Sequence, residues 1–338
     1  MRFENVSILG LAAVDAPHRV TSAEIGQRLG PTMARLGLHP GVIEALTGIT
    51  ARRWWDPEVP YHRMASWAGE KVIEESHLDR SKLGVLVSAS VCKDYIEPSM
   101  ASLVHGSLKL PSTCLNFDIG NACLAFVNAM EVVGNLIERG QVDYGIIVDG
   151  EGSRYTQERT IERLLRPETS IVDFRDNFAT LTLGSGAGAM ILARSDLAPG
   201  RPRVLGGVAL AATAHNRLCL GQPDRMTTDA ANLLTAGLEL AGATWDLARR
   251  EFQWTSELLG QCVIHQVSGV HTAKFRELCG IPDHKVHRTY PEYGNIGPAN
   301  IPITLAKAVE AGKVRKGDRV ALMGIGSGLN CSMMDVAW

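Results

Sequence analysis

The sequence predicts an α/β fold built from two similar halves, and three observations carry that prediction. Apolar runs of strand length alternate with stretches of helical period. Gly and Pro punctuate the joins between them. One stretch of the second half also echoes one of the first at matched spacing.

In chain order, Val6–Val14 is a short apolar stretch without a basic leader, so it reads as a first strand rather than a targeting segment. Leu83–Val87, Tyr144–Val148, Val263–Ile264 and Val320–Met323 read as buried strands of largely parallel sheets. Met64, Ala68 and Val72 fall on one face of a helix, as do Phe126, Met130, Val133 and Ile137. The Pro- and Gly-rich stretch within Ser195–Arg203 divides the chain into residues 1–197 and 198–338. The echo pairs Ile137-Glu138-Arg139-Gly140-Gln141-Val142 with Val309-Glu310-Ala311-Gly312-Lys313-Val314. Gly140 lies 17 residues after Cys123, and Gly312 lies 17 after Asn295. Duplication therefore predicts equivalent places for Cys123 and Asn295, each at a helix start after a strand, meeting at one central site.

Composition narrows the function. A net charge of −2 and no long run of Lys or Arg give no electrostatic support for binding nucleic acid or an anionic membrane surface. No apolar run approaches the roughly 20 residues that cross a bilayer. The seven cysteines are an odd number without CxxC or Cys/His ligand spacing, which points to reduced thiols in the cytoplasm and to no metal site.

The chemistry concentrates on Cys123. In Phe117-Asp118-Ile119-Gly120-Asn121-Ala122-Cys123-Leu124-Ala125-Phe126 a strand ends, a Gly-Asn turn follows and an amphipathic helix begins at the cysteine. The positive end of that helix is expected to lower the thiol pKa below its free value of about 8.5. An isolated cysteine would otherwise be read as a buried small hydrophobe. The strings Gly184-x-Gly186-x-Gly188 and Gly324-x-Gly326-x-Gly328 are not dinucleotide loops, since neither lies between a strand and a helix of a βαβ unit.

Taken together these segments resemble the ketoacyl synthase III family of the thiolase superfamily. The nucleophile segment is similar to Asp-x-x-x-Ala-Cys-x-Gly-Phe, and Ile264-His265-Gln266 to the catalytic histidine strand end. Tyr293-Gly294-Asn295-Ile296-Gly297-Pro298-Ala299-Asn300-Ile301-Pro302 is similar to the Tyr-Gly-Asn-x-x-x-Ala-x-x-Pro segment, and the two glycine strings complete an ordered set that spans nearly the whole chain. The resemblance implies a five-layer αβαβα thiolase fold with pseudo-twofold symmetry and a Cys123–His265–Asn295 triad. It also implies an oxyanion hole from the backbone of Cys123 and of Gly326, Ser327 and Gly328.

Thiolases carry a second cysteine as base where this chain has Gly324. Tyr95-Ile96-Glu97-Pro98-Ser99 instead places Glu97 where the ketoacyl synthases have an aromatic residue, on a loop that crosses a dimer interface in that family. This arrangement is similar to the OleA-type enzymes of bacterial long-chain olefin biosynthesis. It implies a homodimeric acyltransferase that joins two long-chain acyl-CoA thioesters head to head without decarboxylation. Glu97 would be the base in the partner's apolar pocket, the product a 2-alkyl-3-ketoacyl compound, and further olefin-pathway enzymes would act downstream. Acyl-CoA is then a substrate, and no cofactor is implied. The alternatives are a decarboxylative 3-oxoacyl-ACP synthase using a malonyl thioester and a silent lipid-binding or scaffold subunit. For the CoA phosphates, Arg52, Arg53 and Arg175 are the candidate contacts.

Overall fold

A computed structural model describes all 338 residues. The strands run β1 (Val6–Asp15), β2 (His18–Thr21), β3 (Ala51–Trp54), β4 (Val85–Ser88), β5 (Leu115–Asp118), β6 (Tyr144–Glu151) and β7 (Gly186–Arg194). They continue as β8 (Arg203–Ala211), β9 (Cys219–Gln222), β10 (Arg225–Thr228), β11 (Leu259–Ile264), β12 (Arg319–Gly326) and β13 (Asn330–Ala337). Nine of them follow one order, β11-β12-β13-β8-β1-β7-β6-β4-β5. A single residue pair, Ser7 with Arg203, joins β1 to β8, so this order falls into two sheets with a narrow seam.

The two parts have the same internal order. In one, β4 runs parallel to β6, while β6–β7 and β7–β1 are antiparallel. In the other, β11 runs parallel to β12, while β12–β13 and β13–β8 are antiparallel. The expectation of largely parallel sheets is corrected to mixed ones. The β12–β13 return needs only the short turn after Gly326, a connection open to antiparallel strands alone.

Alternate residues of each strand explain the continuous apolar runs. Val85 and Val87 of β4, Ile147 of β6, Val263 of β11, and Val320 and Leu322 of β12 all enter one central core. That core also holds the helices Ala125–Glu138 and Asn300–Glu310 through Phe126, Met130, Val133, Ile301 and Leu305. The intervening residues Leu86, Ile146 and Val148 face the helix Tyr61–Ser76. On the other side, Cys262, Ile264, Ala321 and Met323 pack with the helix Ala230–Phe252. Both faces of both sheets are thus covered, giving helix, sheet, paired helices, sheet, helix. No helix is long and apolar enough to cross a membrane.

The two central helices also end alike. Gly140 and Gly312 adopt φ of 68° and 64°, a left-handed conformation that glycine takes without steric penalty. Gly140 N–H donates to Ile137 and Gln141 N–H to Leu136; Gly312 N–H donates to Val309 and Lys313 N–H to Ala308, all at 2.9 Å. These are the same helix-closing motif in both halves, and they account for the sequence echo.

Candidate active site

Cys123 stands in a turn between β5 and the helix Ala125–Glu138, two residues before the first helical one. Ala122 just before it has φ of 45°, a conformation that costs a residue with a Cβ on the order of 1–2 kcal/mol. Side chains brace this turn. The Asn121 amide donates to Asn128 at 2.8 Å and accepts from Asn330 at 3.2 Å. Asn128 donates to Glu131 at 3.0 Å, and Glu131 in turn accepts from Ser332 of β13 at 3.0 Å. Sequence reading missed this chain, because Asn121, Asn128 and Ser332 carry no motif of their own.

The end of β12 reaches the same turn. A Cβ on Gly326 would sit 3.2 Å from the Cys123 nitrogen, so a side chain there would crowd the turn that glycine lets pack closely. No carbonyl of the chain takes up the Cys123 N–H, which leaves it free for a ligand oxygen. At Gly324 a Cβ would meet Leu124 Cδ2 at 2.5 Å, so the space of a second cysteine is filled by Leu124.

His265 follows β11 and donates its backbone N–H to Met323 of β12 at 2.8 Å, three residues before Gly326. The ring is buried and its Nδ1 has no partner. Burial pushes its pKa down to about 3, so the imidazole is neutral.

Asn295 is held by its backbone against the stretch Thr182–Gly184. Its N–H donates to Thr182 at 3.0 Å, and its carbonyl accepts from Gly184 at 2.8 Å. A Cβ at Gly184 would lie 1.8 Å from the Tyr293 carbonyl oxygen. Cβ atoms at Gly186 and Gly188 would likewise strike Ile303 and Pro302, at 2.8 and 2.7 Å. The first glycine string is therefore a close-packing surface under the helix Asn300–Glu310. The Asn295 Oδ1 accepts the Gly297 N–H at 3.0 Å, which orients the amide and leaves Nδ2 to donate elsewhere. Asn295 differs from its expected setting, since the short helix Tyr290–Tyr293 precedes it and no strand forms there. Tyr290-Pro291 favours a helical first turn at that point.

The expected low thiol pKa is corrected. Burial, with Cys219, Glu151 and Asp149 nearby, pushes the Cys123 thiol up to about 12. The sulfur precedes the helix by two residues, and desolvation of a thiolate outweighs what the helix end supplies there. Glu151 and Asp149, at the end of β6, are the other feature not read from the sequence. Both are buried, and burial raises both carboxyl pKa values.

Glu97 lies on the loop after β4, exposed, directly after exposed Tyr95 and Ile96, and makes no hydrogen bond or ion pair. Arg52 is corrected as a phosphate contact. It is fully buried, and its guanidinium donates to the carbonyls of Val20 at 3.3 Å and Leu181 at 3.0 Å. Arg53 stacks over Tyr293 at 5.6 Å, and Arg175 is exposed beside Asp176 at 3.2 Å.

Two histidines, the buried His265 and the partly buried His271, set a pH dependence of stability. His265 at about 3 and His271 at about 4 both lie below 6.5, so the unfolded chain binds two more protons as pH falls through 6.5 toward 4. Stability from these groups is thus lost on acidification, at about 1.4 kcal/mol per pH unit for each proton. The raised Asp149 and Glu151 act in the opposite sense. Relative to the parent, His271→Gln is expected to flatten the loss of urea-unfolding stability between pH 6 and 4.5. Parallel slopes would refute the assignment.

Comparison with known proteins completes the description. Residues 250–338 match the family described as 3-oxoacyl-[acyl-carrier-protein (ACP)] synthase III C terminal. The chain is 48% identical to an acyl-CoA:acyl-CoA alkyltransferase of Xanthomonas campestris over the full length of both. It is 36% identical to one from Shewanella oneidensis, again over the full length of both. Cerulenin-bound Xanthomonas campestris OleA superposes with a TM-score of 0.98 over 100% of this chain and 98% of that one. A cysteine-to-serine variant of the same OleA with bound lauric acid and lauroyl-CoA, 48% identical, gives 0.98 over 99% and 100%.

Proposed function

The chain belongs to the acyl-CoA:acyl-CoA alkyltransferase family, with the thiolase fold, and from that premise we propose how its residues join two long-chain acyl-CoA molecules head to head. In the first step the Cys123 sulfur attacks the thioester carbonyl. The bond from that carbonyl to the CoA sulfur breaks, and the thiol proton leaves with the CoA as its free thiol. The free N–H of Cys123 and the backbone at Gly326–Gly328 hold the oxyanion.

In the second step Glu97 of a partner chain removes the α-proton of a second acyl-CoA. Negative charge moves onto its thioester oxygen, where a His265 ring N–H and the Asn295 Nδ2–H donate. The α-carbon attacks the acyl carbonyl on Cys123, a C–C bond forms and the C–S bond breaks. The cysteine sulfur regains a proton from the Glu97 carboxyl, and a 2-alkyl-3-ketoacyl thioester remains for olefin formation. A homodimer follows from this reading, supported by the apolar Tyr95 and Ile96 exposed beside Glu97.

The observation that carries the donor assignment is the Asn295 amide, turned by Gly297 so that only its donor end is free, with a neutral histidine as its counterpart. Loss of either donor, Asn295→Ala or His265→Ala, is expected to reduce condensation by about 10²–10³-fold. Incubation with myristoyl-CoA alone tests the whole reading. It is expected to release free CoA and to leave a myristoyl adduct on Cys123 by intact-protein mass spectrometry. Strict dependence on a malonyl thioester for product would select decarboxylative synthesis instead. No adduct from any thioester would select a silent binding subunit.

A further inference from the structure

The Glu97 loop is short, and its exposed tip, Tyr95–Pro98, makes no hydrogen bond. Its base is fastened. Val91 N–H donates to the buried Glu151 carboxylate at 2.6 Å. Three residues on, the Asp94 carboxylate accepts from Tyr61 N–H at 2.7 Å, His62 N–H at 2.8 Å and the His62 ring at 2.8 Å. The helix Tyr61–Ser76 has no side-chain cap of its own, because Pro60 precedes it, so Asp94 serves as a cap reached across 33 positions of sequence. Beyond the tip, Asp118 accepts from Met100 N–H at 3.2 Å and Ala101 N–H at 2.8 Å. Glu97 is thus carried on a free span between two fixed ends, and Asp94 is the fixed point nearest to it on the N-terminal side.

We propose that Asp94 is a positioning residue for the condensation step, setting where the loop presents the Glu97 carboxylate. This deepens the function proposed above and rests on Glu97 being the base. Position matters because a proton is abstracted only within hydrogen-bond reach of its acceptor, and a displacement of about 1 Å can lower the rate 100-fold. The acylation of Cys123 does not use Glu97, so it provides an internal control. Asn at position 94 keeps one acceptor oxygen, while Ala keeps none.

The experiment compares Asp94→Ala, Asp94→Asn and Glu97→Gln in the full-length enzyme with myristoyl-CoA. Adduct formation on Cys123 and condensed product are followed separately. Asp94→Ala is expected to form the adduct at the parent rate and to condense about 10- to 100-fold more slowly, with a smaller loss in Asp94→Asn. Parent-rate condensation in both Asp94 variants, with Glu97→Gln inactive in condensation, would overturn the positioning role alone. Equal losses of adduct and product in both Asp94 variants would also overturn it, as a purely structural effect. Parent-rate condensation by Glu97→Gln would overturn the base assignment itself. If Asp94→Ala does not fold, Asp94→Asn carries the same comparison.

Discussion

Cys123→Ala is expected to remove both the acyl adduct and the condensed product, lowering turnover on the order of 10⁴-fold or more. The size follows from the route, because the sulfur is the atom that holds the first acyl group and no other thiol can replace it. The Cys92 thiol is engaged by the Gly152 carbonyl at 3.6 Å, and Cys114, Cys262, Cys279 and Cys331 are buried. Gly324 leaves no room for a second cysteine beside Leu124. The fold should survive the change, since alanine removes one atom from a site braced by Asn121, Asn128 and Asn330. Mass spectrometry after myristoyl-CoA, with circular dichroism as a folding control, checks the result. An undiminished adduct in this variant would show that another residue carries the acyl group.

Glu97→Gln is expected to separate the two halves of the reaction. Adduct formation on Cys123 should persist at the parent rate, while condensation falls by about 10²–10⁴-fold, the usual contribution of a positioned base. Glutamine matches the size of glutamate and keeps an acceptor oxygen, so what is lost is the capacity to take a proton. Because Glu97 is exposed and makes no hydrogen bond or ion pair within its own chain, the substitution is expected to leave the fold of the protomer undisturbed. Product analysis with one equivalent of CoA released per acylated cysteine gives the split directly. A variant that condenses as fast as the parent would remove Glu97 from the mechanism.

Much of this was open to reading in one dimension. The alternation of Val85 and Val87 with Leu86 marks a strand covered on both faces, and local spacing alone discloses it. The paired glycines Gly140 and Gly312 show the duplication, because a left-handed helix ending leaves a glycine at a fixed distance from the helix start. Ordered motifs around Cys123, His265 and Asn295 indicated the reaction class for the same reason, since each is a short local signal.

Other features depended on groups far apart in the chain. The thiol of Cys123 was expected to be acidic from its place before a helix, yet burial beside Glu151 and Asp149 raises it. Desolvation is set by everything packed around an atom, and no neighbour in sequence reports it. Arg52 was read as a candidate phosphate contact and is enclosed instead, two of its donors held by Val20 and Leu181.

The sequence by itself determined the two-half α/β plan and marked Cys123 as the nucleophile proposed here, because periodicity, helix-ending glycines and short motifs are local properties of the chain. Only the tertiary structure decided which end of the Asn295 amide is free, that His265 is neutral, and that Asp94 and Glu151 fasten the Glu97 loop. The loop is fastened by groups 33 and 60 positions apart, the histidine is buried by packing, and the Asn295 amide is placed by backbone bonds to Thr182 and Gly184, none of which a local signal reports.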